Sequence, residues 1–154
     1  MKSFNSYIQL HEVGNQPYRW KRTVSSKTRW EARFIADNKE KYLFNAGRVN
    51  IGWDIIFESL SSSDYGMGIT GTQGTSAIRV FSTVANILEA FVKEVEPDTF
   101  LFSADKTEWD GTGGRAKLYS RFSKMFAKKN GYDIKELDKR DEIKFVFTRK
   151  EGRK

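Results

Sequence analysis

The sequence predicts an α+β domain in which a mostly antiparallel sheet leads into a glycine-rich loop and two amphipathic helices. Residues 18–57 alternate between apolar and polar side chains, as strands do, whereas the apolar residues from Ala77 onward recur at helical spacing. Aromatic residues make up 14% of the chain, and their rings suit the contact between a sheet and helices. With 154 residues, the chain is long enough to bury one core without disulfides.

The first half of the chain is predicted to form strands. Residues 1–17 are an N-terminal arm whose short apolar alternation fits either an edge strand or a short helix. Residues 18–70 are predicted to be antiparallel strands, since polar turn residues separate the alternating segments. The predicted strands are 18–22, 29–36, 42–44 and 53–57, with a further short strand possible at 65–70.

The second half, residues 71–148, is predicted to run helix, strand, helix, strand. Apolar residues follow the i, i+3, i+4, i+7 pattern up to Val95, and Pro97 ends this first helix. A compact apolar run at 99–103 predicts a buried strand, and Asn130-Gly131 ends a second amphipathic helix. A last strand is predicted at 144–148, and residues 149–154 form a basic tail. Because no candidate linker interrupts the chain, we expect a single domain.

Composition excludes several classes of site. There is no Cys, which rules out disulfides, thiolate zinc sites and cysteine nucleophiles. His11 is the only histidine, so a histidine pair cannot be built, and no metal site is predicted. No apolar run has the length of a signal peptide or a membrane span, so we expect a cytoplasmic protein that does not enter membranes.

The positive charge is concentrated toward the C-terminus. The net charge is +7, and residues 115–154 alone contain fourteen Lys and Arg against six Asp and Glu. The positive potential of this region would attract the phosphate groups of a nucleotide cofactor or a nucleic acid. The alternative is a solvated basic surface that has no partner.

The best candidate for a binding site is the loop Gly71-Thr72-Gln73-Gly74-Thr75-Ser76, which stands directly before the first long helix. Glycines allow backbone N–H groups to point at a ligand, and the helix N-terminus adds about half a positive charge, so a pyrophosphate would fit. The alternative is that the two glycines form a tight turn and Thr75 or Ser76 caps the helix. The loop is not a P-loop, because no Lys follows Gly74.

The order of strands, glycine-containing loop, helix, strand and helix resembles the acyl-CoA N-acyltransferase (GNAT) superfamily, in particular small members found in bacteriophages. The loop carries Gln73-Gly74-Thr75-Ser76-Ala77 in the place where that family holds the pyrophosphate of coenzyme A. The second helix contains Ala116 and Leu118-Tyr119 and is followed by Gly131-Tyr132, which echoes the later helix of the family. The resemblance covers roughly residues 30–148.

The resemblance implies transfer of an acetyl group from acetyl-CoA to an amine, with the loop 71–76 binding the cofactor. It also implies that Tyr119 acts as the general acid toward the departing thiolate, with a plain core residue as the alternative. The reaction also needs a base that takes the proton of the amine, and Glu58, with Asp54 in reserve, is the candidate. Both carboxylates have the alternative of being ordinary surface groups. Arg79, in the first turn of the helix, is a candidate to face the phosphate, with a solvent-facing charge as the alternative.

Two other functions stay open at this point. A catalytically inactive GNAT-like protein that binds and inhibits a host protein, as a phage host-takeover factor does, is compatible with the sequence. A nucleic-acid-binding domain is the other alternative, because basic and aromatic residues interleave on the early strands. The residues concerned are Arg19, Trp20, Lys21, Arg22, Lys27, Arg29 and Trp30.

Overall fold

The computed structural model of the protein describes residues 16–37, 39–60, 77–105 and 114–150. These residues form seven strands and two helices. The strands are β1 (Trp20–Ser25), β2 (Arg29–Ile35), β3 (Lys41–Val49), β4 (Gly52–Ser59), β5 (Thr99–Asp105), β6 (Tyr132–Asp138) and β7 (Glu142–Arg149). The helices are α1 (Ala77–Val95), between β4 and β5, and α2 (Gly114–Asn130), between β5 and β6.

All seven strands belong to one sheet, in the order β1-β2-β3-β4-β5-β7-β6. Every neighbouring pair is antiparallel except β4 and β5, which run parallel. A parallel pair needs a crossover connection, and the segment that contains α1 supplies it. The α+β class, the mostly antiparallel sheet and the two helices are therefore confirmed.

Both helices pack on the same face of the sheet, which we call the helix face. Side chains alternate along each strand, so every second residue of the central strands points into this layer. The Phe91 ring of α1 lies at its centre, 5.4 Å from the ring of Trp30, 5.5 Å from that of Trp53 and 6.3 Å from that of Phe100. Phe126 of α2 lies 6.2 Å from Phe100 between ring centres. The aromatic residues thus form one continuous core under both helices.

The helix ends follow the predicted stop signals. Val95 ends α1 two residues before Pro97, and the intervening Glu96 adopts a φ of 51°. Asn130 ends α2, and Gly131 follows with a φ of 79°, the left-handed conformation that glycine takes after a helix without strain. None of the helical residues that the structure describes makes a span long and apolar enough to cross a membrane.

The structure corrects the prediction after the second helix. Instead of one strand, the chain forms the hairpin of β6 and β7, and β7 extends to Arg149, the first residue of the predicted basic tail. Strand β6 escaped prediction because charged residues interrupt its apolar positions, as is common for an edge strand. The N-terminal arm up to residue 15 and the possible strand at 65–70 lie outside the described residues.

Candidate functional site

The parallel pair of strands separates soon after it begins. Strands β4 and β5 pair only at Trp53 with Phe100 and at Asp54 with Leu101. Both strands nevertheless continue, β4 in register with β3 as far as Ser59 and β5 in register with β7 as far as Asp105. We call the space between residues 55–59 of β4 and residues 102–105 of β5 the fork.

Backbone groups of β4 point into the fork. The N–H of Leu60 donates to the carbonyl of Lys41 at 2.7 Å, which fixes the hydrogen-bonded pairs between β3 and β4. Since these pairs alternate along an antiparallel ladder, Ile55, Phe57 and Ser59 direct their N–H and C=O groups away from β3. The N–H of Ile55 completes the last rung with β5, so the amide of Phe57 is the next one beyond the point of separation.

The same reasoning places backbone groups of β5 on the other side of the fork. The N–H of Arg149 donates to the carbonyl of Asp98 at 2.8 Å, so Ser103 directs its N–H and C=O groups away from β7. The fork therefore has the hydrogen-bonding character of two facing strand edges. An extended ligand that carries amide groups could pair with either edge, as a peptide does when it adds to a sheet.

An apolar cavity of about 20 Å³ lies at the helix-face side of the fork, which is room for about one water molecule. Four residues of the sheet line it, including Phe57 of β4 and Phe102 of β5, and both helices contribute the remaining walls. The lining residues are Phe44, Ile55, Phe57, Phe81, Val84, Ala85, Leu88, Phe102, Tyr119 and Phe122.

Tyr119, the predicted general acid, is one of these lining residues. It lies on α2 and is 2% exposed, with its ring centre 5.6 Å from that of Phe81 and 6.3 Å from that of Phe102. The structure thus places this phenol beside the fork. A tyrosine that serves only the core would show the same burial, so an acidic role for Tyr119 stays a prediction.

Glu58, the predicted base, lies on the other side of the sheet from Tyr119. Its neighbour Phe57 faces the helices, so the side chain of Glu58 projects from the opposite face, where it is partly exposed. Tyr119 and Glu58 are therefore separated by the sheet itself, and only a group held in the fork could be approached from both sides.

Asp54, the reserve candidate, shares that opposite face and stands at the last rung before the strands separate. Burial raises the pKa of this carboxyl group; the positive charge of Lys144 acts in the other direction, and the negative charge of Glu142 adds to the increase. A raised pKa brings a carboxylate closer to the range in which it can accept a proton at neutral pH. Sequence analysis had no signal that distinguished Asp54 from Glu58.

The predicted cofactor loop, residues 71–76, lies outside the described residues. Helix α1 begins at Ala77, the residue that follows Ser76. Arg79 in the first turn is already engaged, because its Nε donates to the carbonyl of Gln16 at 2.6 Å and its Nη1 to Asp37 at 3.4 Å. Its guanidinium also lies 4.0 Å from the ring centre of Tyr18. The first turn thus ties the helix to the segment before β1.

The aromatic side chains proposed for nucleic-acid stacking are directed into the protein. Trp30 is 1% exposed and packs in the core, and the Nε1 of Trp20 donates to Asn86 of α1 at 2.9 Å. Of the neighbouring basic residues, Arg22 pairs with Glu94 and Arg29 with the buried Glu31. Trp30 therefore offers no exposed ring face for a base, and Trp20 is only partly exposed.

No group of three or more His, Asp or Glu side chains that could hold a metal ion occurs in the described part of the chain. His11 lies outside the described residues. No family model, curated protein or solved structure matches the chain. The fork and the side chains at its two faces are therefore the features of the molecule that bear on its function.

Proposed function

We propose that the protein is a GNAT-like acyltransferase that binds acyl-CoA, with acetyl-CoA as the simplest donor, and transfers the acyl group to an amine. The fork between β4 and β5 carries this proposal. It interrupts an otherwise continuous sheet, it has backbone amides that point away from their antiparallel neighbours, and it has a buried phenol on one face and a carboxylate on the other.

The backbone groups in the fork suit the pantetheine arm of coenzyme A, which is an extended chain with amide groups of its own. The groups at Phe57 and Ser103 can pair with such a chain, since each faces the fork rather than its antiparallel neighbour. The loop 71–76 before α1 would hold the pyrophosphate through its amides and the helix dipole. Bound there, acyl-CoA supplies the activated acyl group as a thioester.

Three groups of this chain are assigned roles in the transfer according to where they lie around the fork. The N–H of Phe57 donates toward the thioester carbonyl and stabilises the negative charge that develops there. A carboxylate on the opposite face takes a proton from the amine, and the hydroxyl of Tyr119 on the helix face gives a proton to the sulfur. Because the fork passes through the sheet, one thioester can be approached by both groups.

Asp54 is the stronger candidate for the base. Asp54 and Glu58 are four residues apart on one strand, which separates them by about 13 Å, so only one of them can serve a given reaction centre. Asp54 stands where the strands part, is half-buried, and has the raised pKa that suits a base. Glu58 remains the second candidate.

Calorimetric titration with acetyl-CoA tests the cofactor site. We expect saturable heat for the native protein and none for Gly74→Val, because a β-branched side chain would fill the space that the pyrophosphate needs. Gly47→Ala is the matched control, since a Cβ at Gly47 has no atom within 4 Å and the variant should bind normally. Absence of heat with the folded native protein would refute acyl-CoA binding.

Steady-state kinetics test the assigned roles. A panel of amines serves as acceptors, and the release of free thiol is the signal that is measured. Tyr119→Phe should lower kcat at an unchanged Kd for acetyl-CoA, because the ring stays and only the proton donor is lost. Asp54→Asn should lower kcat more than Glu58→Gln does. If Glu58→Gln is the more damaging of the two, Glu58 is the base; if neither matters, the proposed proton transfer is wrong.

A second candidate function, protein binding by a catalytically inactive GNAT-like chain, is favoured by exposed aliphatic side chains. Ile35, Ile56 and Leu60 are 57%, 42% and 43% exposed and project from the same face of the sheet as Asp54. Aliphatic exposure of this kind is typical of contact surfaces for proteins, here a host protein. This function predicts no response to acetyl-CoA in the titration above.

A further inference from the structure

Lys144 of β7 lies beside the fork on the same face as Asp54. It lies opposite Ser103 of β5. Since the Asp98–Arg149 pair is hydrogen-bonded and such pairs alternate, Ser103 and Lys144 form a non-hydrogen-bonded pair. Side chains in such pairs come closest, at about 4.5–5.5 Å between Cβ atoms. Ser103 is the β5 residue whose backbone faces the fork. The small side chain of Ser103 leaves room for the long stem of Lys144 to cross it.

The charge of Lys144 reaches Asp54 from the far side of the fork. Asp54 pairs with Leu101, and Leu101 pairs with Val146, two residues along β7 from Lys144. Both side chains therefore lie on the same face, on either side of β5, and the positive charge of Lys144 opposes the increase that burial causes in the pKa of Asp54. The side chain of Lys144 is partly exposed.

We propose that Lys144 is itself an acyl acceptor, so that the protein acylates its own lysine at the mouth of the fork. This inference rests on the proposed acyltransferase function and names one substrate amine for it. It requires only that the Nζ of Lys144 reach across Ser103 to the carbonyl carbon of an acyl-CoA thioester.

The transfer balances with groups already described. Lys144 loses a proton from its ammonium group, and the lone pair of Nζ then attacks the carbonyl carbon, forming the C–N bond. The first proton of the ammonium group passes to water. As the C–S bond breaks, the thiolate leaves and takes a proton from Tyr119, while Asp54 accepts the second proton of the nitrogen. Tyr119 and Asp54 then regain their starting forms by proton exchange with water. The products are an N-acyl lysine, free coenzyme A and one proton released to water, and no oxidant or reductant takes part.

Lys135 provides a matched comparison within the same sheet. It lies on β6 and projects from the same face, because it pairs with Val146. It is one strand further from the fork, about 4.8 Å, and it is exposed. Uncatalysed acetylation by acetyl-CoA should therefore label Lys135 at least as readily as Lys144, whereas the proposed transfer should favour Lys144.

The test is incubation of the full chain with acetyl-CoA followed by peptide mass spectrometry. We expect Lys144 to be labelled at least tenfold faster than Lys135, with a first-order rate that does not change on tenfold dilution of the protein. Asp54→Asn should remove this excess, and Lys144→Arg, which keeps the charge, should leave acetyl-CoA binding unchanged in the calorimeter.

Three outcomes overturn the inference and can be told apart. If acetyl-CoA binds but Lys144 is labelled no faster than Lys135, self-acylation is wrong and the proposed function survives. If acetyl-CoA does not bind at all, both fail together. A rate that falls on dilution would show transfer between molecules and would overturn the reach of Lys144 into its own fork.

Discussion

The close contact between β4 and β5 at Gly52 should control the stability of the sheet. A Cβ at this position would lie 2.3 Å from the carbonyl oxygen of Thr99, and the φ of Gly52 is 150°. That carbonyl accepts the N–H of Trp53 in the first rung of the parallel pair, so it cannot move without weakening the rung. We therefore expect Gly52→Ala to be strongly destabilising.

The magnitude follows from two costs. A non-glycine residue held in a sparsely populated backbone conformation costs about 1–3 kcal/mol. Forcing an extra methyl group into a packed contact costs about 1–3 kcal/mol more. The expected loss of unfolding free energy is thus about 2–6 kcal/mol, a large fraction of the roughly 5–15 kcal/mol that holds a domain together. Each kcal/mol lowers the Tm of a domain of this size by about 2–4 °C.

Urea unfolding followed by tryptophan fluorescence measures this loss, with Gly47→Ala as the control. Gly47 lies on the neighbouring strand β3, and its added Cβ would meet nothing within 4 Å. Since glycine in a strand is less favourable than alanine by about 0.5–1 kcal/mol, Gly47→Ala should be neutral or slightly stabilising. A Gly52→Ala loss below about 1 kcal/mol would refute the tight contact with Thr99.

Three further changes have definite expected effects. Phe91→Ala should cost about 3–5 kcal/mol in urea unfolding, because the ring lies at the centre of the aromatic core. Tyr132→Phe should cost about 1–2 kcal/mol in urea unfolding, since the buried hydroxyl donates to the carbonyl of Pro97 at 2.5 Å. Burial raises the pKa of this phenol to about 12, so the variant should lack one late-titrating tyrosine in an alkaline absorbance titration. Folding raises the pKa of Asp54, so the native state favours the protonated form, and the stability from this group is lost as the pH rises above about 3.8 toward the native pKa. Asp54→Asn should therefore raise the Tm more at neutral pH than at about pH 3.5, and an equal change at both would contradict the raised pKa.

The elements with a strong period could be predicted from the sequence. The stripe of apolar residues that includes Val80, Leu88 and Phe91 lies on the buried side of α1, as helical spacing requires. Likewise Trp30, Ala32 and Phe34 share the helix face of β2, as strand alternation requires. In both cases the apolar residues lie on the face of the element that packs against the core, so the spacing of apolar residues in the sequence predicts which face is buried.

Features that depend on contacts distant in the sequence could not be predicted. Most residues of the edge strand β6 are exposed. One of them, Glu136, accepts a hydrogen bond from Ser120 of α2 and so takes a position where an apolar residue would continue the strand pattern. The fork leaves no signal in the local sequence, because residues 55–59 have the pattern of an ordinary strand. Their separation from β5 depends on the path that β5 takes. The raised pKa of Asp54 is likewise not visible in the sequence, because burial, its main cause, arises only when the sheet assembles. The charges of Lys144 and Glu142, which act in opposite directions on it, come from β7.

The side chains on the helix face explain why the fork stays open. Strands β4 and β5 could continue their parallel ladder only if Phe57 and Phe102 moved together, and the cavity between these residues is bordered by rings from both helices. Phe81 of α1 lies 5.6 Å from Tyr119 of α2 between ring centres, so the two helices contact each other above this point. Narrowing the fork would require this layer of rings to repack. The aromatic core therefore stabilises the fold and holds apart the two strand edges on which the proposed acyl-CoA site depends.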